Sequence, residues 1–169
     1  MVSGLTMLGL AEHEARYATY PDLVDRLRQD GADADVGRRM FERIVFNIAI
    51  GNNDDHGRNH AAFWDGRALE LTPAYDLCPQ IRSGETSAQA MAIDYDGERA
   101  SSFRVCLRAA PTYGLGRAAA RRVIDQQIEI IGSQWDDAAD AAQLPIAERS
   151  LMFGRQILNP FASYGYQRE

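Results

Sequence analysis

Apolar positions recur with a helical period in several stretches of the chain. Leu23, Val24 and Leu27 share one face, Pro21 suits a first helical turn, and Gly31 is placed to end that helix. Val36 to Ile50 is stronger: Met40, Phe41, Ile44, Val45, Ile48 and Ala49 line a wide apolar stripe, Asp35 suits the N-cap and Gly51 the position after the C-cap. A third helix is expected from Gly116 to about Gly132. Ala119, Val123, Ile124, Gln127, Ile128 and Ile131 would form its inner side, with a break at Gly132 and helix again over 134–143. Residues 101–110 read as a helix ending before Pro111, and Ile146 to Leu158 as the last helix, stopped by Asn159-Pro160. Residues 2–10 allow one or two helical turns, 11–19 a surface loop, and 163–169 a frayed tail.

The period changes once. Ala61–Trp64 and Ala68–Thr72 read as paired strands around an Asp65-Gly66 turn, and Pro73 stops the second. Trp64 and Tyr75 are expected to pack into the core beside this hairpin. Residues 77–99 carry turn signals and little periodicity, so irregular structure is expected there. The predicted fold is mainly α with a small β-hairpin, one domain over residues 1–169.

Composition narrows the class. No run of about 18 apolar residues is present, so no membrane span is expected. The N-terminus lacks the basic start of a signal peptide, and Cys78 and Cys106 form no metal-binding pattern; both points suit a reduced, cytoplasmic setting. A net charge of −6 argues against direct nucleic-acid binding, and the Arg117, Arg121, Arg122 cluster reads as an ordinary helix surface.

The candidate chemistry lies between Gly51 and Asp76. Asp54 is followed five positions later by Asn59, and Asp76 comes seventeen positions after that, beyond the hairpin. A catalytic Asp, an Asn at that spacing and a magnesium-binding Asp after two short strands form the metal-binding half of a protein-kinase site. Phosphoryl transfer needs a carboxylate to orient the attacking hydroxyl and take its proton, the role that suits Asp54. It also needs hard oxygen ligands for Mg2+, the role that suits Asn59 and Asp76. Asp55, His56 and Arg58 are possible supporting residues. His56 is expected to pack under the loop and bond its backbone, Arg58 to be a solvated charge, and Asn52 and Asn53 to be plain loop residues. His56 and His60, four apart near two aspartates, also allow a transition-metal hydrolase reading with Asp54, although the turn residues around Gly57 argue against a helix there.

These residues also carry a resemblance. N-D-D-H-G-R-N-H followed by L-T-P-A-Y-D-L resembles the HipA family, kinases of bacterial toxin–antitoxin modules, as do SGLTMLGL, TYPDLVDRL and AMAIDYDGERAS. The likeness runs over roughly residues 2 to 160 and corresponds to the C-terminal lobe of those kinases. It implies that Asp54 is the catalytic Asp and that Asn59 and Asp76 are the magnesium ligands. It also implies ATP as phosphate donor, a Ser/Thr protein substrate linked to translation, and a helix-turn-helix antitoxin as partner.

One feature limits that reading. All eighteen basic residues are Arg, so the lysine with which kinases hold ATP phosphates is not among these residues, and no G-x-G-x-x-G or Walker A pattern occurs. The chain is therefore expected to carry half of an ATP site, to need an N-terminal nucleotide-binding lobe, and to be inactive alone. The alternative is a non-catalytic module that docks an antitoxin or a partner lobe.

Overall fold

The computed structural model describes residues 1–81, 84 and 86–166. The described residues form seven α-helices, α1 (Gly4–Leu8), α2 (Tyr20–Gln29), α3 (Val36–Ile50), α4 (Phe103–Ala109), α5 (Arg117–Ala141), α6 (Ile146–Met152) and α7 (Pro160–Ser163), and one small antiparallel sheet that packs against α1 and α2. Its strands β1 (Val2–Ser3), β2 (Ala61–Trp64) and β3 (Leu69–Leu71) lie in the order β1-β2-β3. The expected mainly α fold with a hairpin is what the chain adopts.

α3 is the axis of the core. Met40, Phe41, Ile44, Val45 and Ala49 are fully buried, and the helix ends at Gly51, whose φ of 74° is the left-handed conformation that glycine adopts without steric penalty. α2 packs alongside through Leu23, Val24 and Leu27, its start capped by the Thr19 hydroxyl, which accepts from the Asp22 amide at 3.1 Å. Arg39 donates to the Leu71 carbonyl at 2.6 Å and Arg43 to that of Thr72. Two guanidinium groups one turn apart on α3 thus hold the end of β3, where the chain leaves for Asp76.

Several local expectations are corrected. The hairpin has a third strand, because Val2 and Ser3 pair with Ala62 and Ala61. Two residues carry too little period-2 pattern to be read as a strand. Residues 12–17, expected as loop, form a 3-10 helix. α4 ends at Ala109, before Pro111 as expected, but the chain does not leave helical structure there; it tightens into a 3-10 turn over Ala110–Tyr113, where a proline in the first turn has no hydrogen bond to lose. α5 runs unbroken through Gly132, since one glycine in a helix costs only about 1 kcal/mol and its neighbours favour helix. On that helix Ala120, not Ala119, is the fully buried alanine.

The C-terminal end differs as well. α6 ends at Met152, Gly154 takes a φ of 81°, and Pro160 opens α7 instead of closing the preceding helix, with Asn159 as N-cap. Tyr166, expected to fray, is 3% exposed: its ring meets Phe103 and its hydroxyl donates to Asp125 at 2.7 Å. Residues 167–169 of the expected tail lie outside the described residues. Trp64 (52% exposed) and Tyr75 (38%) do not enter the core: β2 buries Ala61 and Ala62 and turns its outer half to solvent, and Tyr75 lies in the exposed stretch after β3.

Two glycine substitutions separate packing from propensity. A Cβ at Gly4 would run into the Gly57 carbonyl, so Gly4→Ala is expected to destabilise by roughly 1–3 kcal/mol in urea unfolding. At Gly132 only Leu158 Cδ1 lies nearby, at 3.8 Å, so Gly132→Ala is expected to stabilise by about 0.5–1 kcal/mol.

Candidate functional site

The loop from Gly51 to His60 is held from every side by the elements it joins. Its start is fixed by α3: the Asn52 amide donates to the Asn47 carbonyl at 2.8 Å. Its end is fixed by the sheet and α1: the Gly4 amide donates to the His60 carbonyl at 2.7 Å. The irregular stretch after the hairpin folds back over it. The Gln80 amide donates to the Gly51 carbonyl, the Ala90 amide to the Asn53 carbonyl, and the Asn53 side chain to Ser87 Oγ. The Tyr75 hydroxyl donates to the Arg58 carbonyl at 2.7 Å. These bonds fix the main chain of the loop against the rigid elements around it.

Beneath the loop is a buried carboxylate. Asp55 is 2% exposed and accepts from three donors: Tyr20 Oη at 2.8 Å, Asn47 Nδ2 at 2.7 Å and His60 Nε2 at 3.0 Å. Its contacts join α2, α3 and the site loop. Burial, and next the Asp55 charge, pushes the Tyr20 hydroxyl well above its ordinary value, so it stays protonated and donates. Asn47 then passes the order on, its Oδ1 accepting from Asn52 Nδ2 at 3.0 Å.

Asn52 connects this network to the candidate catalytic residues. Its Oδ1 accepts from the Asp54 amide at 3.3 Å, and its Nδ2 also donates to the Asp76 carbonyl at 3.2 Å. Asn59 Nδ2 donates to the Asp54 carbonyl at 3.4 Å. Asp54, Asn59 and the more distant Asp76 are thereby tied into one hydrogen-bonded group. The bonds to Asp54 and Asp76 run through main-chain atoms, and both residues are exposed to solvent, whereas Asn59 is 6% exposed. Asp76 has a φ of 56°, a left-handed conformation that Asp and Asn tolerate better than most residues.

The donor set suits a small hard cation. Two exposed carboxylates and an amide whose N–H2 is engaged offer oxygens, the ligands Mg2+ takes. The alternative set of Asp54, His56 and His60 is not assembled: His60 turns Nε2 to Asp55. Among the described residues no three His, Cys, Asp or Glu side chains converge as a metal site. His56 does not bond the loop backbone as expected; Nε2 sits 3.3 Å from Arg58 Nη2, and Nδ1 is buried without a partner. Arg58 is exposed and paired with Glu12 at 2.7 Å, a contact of small energetic weight.

Tyr20, Asn47 and Asn52 were not marked by spacing. Asn47 had a signal: a polar side chain three residues after Ile44 and beside Ile48 on the buried stripe of α3. Tyr20 and Asn52 had none beyond their places at a helix start and just after a helix end.

Removing the buried carboxylate should be costly. Asp55→Ala leaves three donors unpaired and is expected to lose roughly 3–5 kcal/mol of stability. Tyr20→Phe removes one bond to the carboxylate and should lose about 1.5–3 kcal/mol, both read from urea unfolding midpoints.

A family model described as the HipA-like C-terminal domain matches residues 1–135. A curated protein of Sinorhizobium fredii, Y4mE, named as a candidate kinase, is 26% identical over 142 residues, 75% of this chain and 33% of its own. The solved HipA of Shewanella oneidensis MR-1, from a toxin–antitoxin complex with HipB and operator DNA, superposes with a TM-score of 0.67 at 21% identity. It covers 90% of this chain and 37% of its own, and at that identity it speaks for the fold. The chain thus spans about a third of the length of these relatives. No helix among the described residues is long and apolar enough to cross a membrane. With four fifths of its length matched, the chain belongs to the family of HipA-like C-terminal domains.

Proposed function

We propose that this chain is the catalytic-loop and metal-binding lobe of a HipA-like, ATP-dependent Ser/Thr protein kinase of a toxin–antitoxin module. The observation that carries the reading is the Asn52 amide, bonded at once to the main chains of Asp54 and Asp76, while Asn59 bonds Asp54. Three residues of the kinase pattern meet in one network, two on the pinned loop and Asp76 beyond the hairpin, with Asp54 and Asp76 both exposed to solvent.

In this reading Asp54 orients the attacking hydroxyl of the protein substrate and takes its proton. Asn59 and Asp76 hold Mg2+ through their side-chain oxygens. The ion, when bound, neutralises charge on the ATP phosphates. Tyr20, Asn47 and Asp55 keep the loop in place. The chain supplies no lysine and no glycine-rich loop for the phosphates, so in this reading a nucleotide-binding lobe outside these residues completes the site. An antitoxin is the proposed partner, in keeping with the HipA relative solved with HipB.

These 169 residues assayed alone, with ATP and Mg2+, should transfer no phosphate to protein. Joined to the N-terminal lobe of a full-length relative, they should phosphorylate protein, and Asp54→Asn should lower the rate by about 10²–10⁴-fold. That substitution leaves the Asp54 main-chain bonds in place, so loss of rate without loss of fold identifies the carboxylate as the acting group. A stable two-lobe complex with no transfer, and indifferent to Asp54→Asn, would instead establish a docking module.

A further inference from the structure

We infer that Asn52 is a positioning residue that sets Asp54 against Asp76, and that the buried Asp55 carboxylate fixes its orientation through Asn47. The inference deepens the metal-site reading above and rests on it.

The argument is one of donor and acceptor direction. A carboxylate only accepts, so Asp55 requires Asn47 to present Nδ2 to it, at 2.7 Å. Asn47 Oδ1 is then turned the other way and requires a donor, which is Asn52 Nδ2 at 3.0 Å. That leaves Asn52 Oδ1 for the Asp54 amide, while the second hydrogen on Nδ2 goes to the Asp76 carbonyl. A flipped Asn52 would set its oxygen against two acceptors and its amide hydrogens against a donor. Asn47 and Asn52 are each 1% exposed, so water cannot repair such a flip. The polarity of the chain therefore propagates from Asp55 to both residues of the site. At its far end is Asp76, in the left-handed backbone conformation, which is uncommon for a non-glycine residue although Asp tolerates it better than most.

The test is a Mn2+ titration of the full chain, followed by water-proton relaxation, with thermal unfolding run on each variant without metal. Asp76→Ala should weaken Mn2+ binding strongly. Asn52→Ala, which removes no metal ligand, should weaken it about tenfold, the scale of losing a group that orients a ligand. Asn47→Ala should act in the same direction, and the double variant should be no weaker than Asn52→Ala alone, because both act through one path. If folded Asn52→Ala binds Mn2+ like the unsubstituted chain, or if the two effects multiply, the inference is overturned. If Asp76→Ala leaves Mn2+ affinity unchanged, or the unsubstituted chain takes up no Mn2+, the metal-site reading itself fails. Should Asn52→Ala not fold, Asn52→Ser is judged by the same criteria.

Discussion

A carboxylate sealed from water is stable only if enough donors replace the lost solvent, and here those donors come from three different parts of the chain. Tyr20 arrives from the first turn of α2, Asn47 from the last turn of α3, and His60 from the far end of the site loop. Asp55 therefore cannot be satisfied until both helices and the loop are in register. The Tyr20 and His60 rings, both bonded to Asp55, meet edge to face with 5.7 Å between centroids. The same charge that makes the loop expensive to bury makes its position specific.

The hydrophobic frame serves this arrangement. The buried stripe of α3 fixes where Gly51 releases the chain, and the Arg39 and Arg43 side chains fix where β3 releases it. The cost is visible at Arg43. Burial, and next the neighbouring Arg39, lowers its pKa to about 10, and Nη1 finds no hydrogen-bond partner. The chain accepts a poorly solvated cation in order to anchor the segment that leads to Asp76.

Periodicity made the helical frame legible. α3 begins and ends where its apolar stripe, N-cap position and following glycine place it, and β2 coincides with the expected strand. Local punctuation was less dependable, because the same residue type can open or close an element. Pro160 reads as a stop yet opens α7, and Pro111, which does follow the end of α4, itself lies in the first turn of a 3-10 helix. Gly132 is overruled by the helix on both sides. For the candidate site, the spacing of Asp54, Asn59 and Asp76 pointed to a loop and a hairpin that bring them near one another, and the three do share one hydrogen-bonded network. The amides that join them were not readable in advance, since a hydrogen bond between Asn47 and Asn52 across a helix end leaves no spacing rule. The exposure of Trp64 was also out of reach: it depends on how far the sheet extends beyond the core, which no pattern in four residues encodes.

The family match stops at residue 135, yet the polypeptide beyond it returns to the body of the domain. The Leu158 amide donates to the Ala49 carbonyl at 2.7 Å, and the Gln156 carbonyl lies so close to Gly51 that a Cβ there would come within 2.6 Å of it. Farther on, Tyr166 covers Phe103. Cutting the gene at the border of the recognised domain would therefore strip the outer wall from the end of α3, where the chain enters the Gly51–His60 loop, and bare an aromatic ring. Anyone trimming this protein for expression should keep its last thirty or so residues.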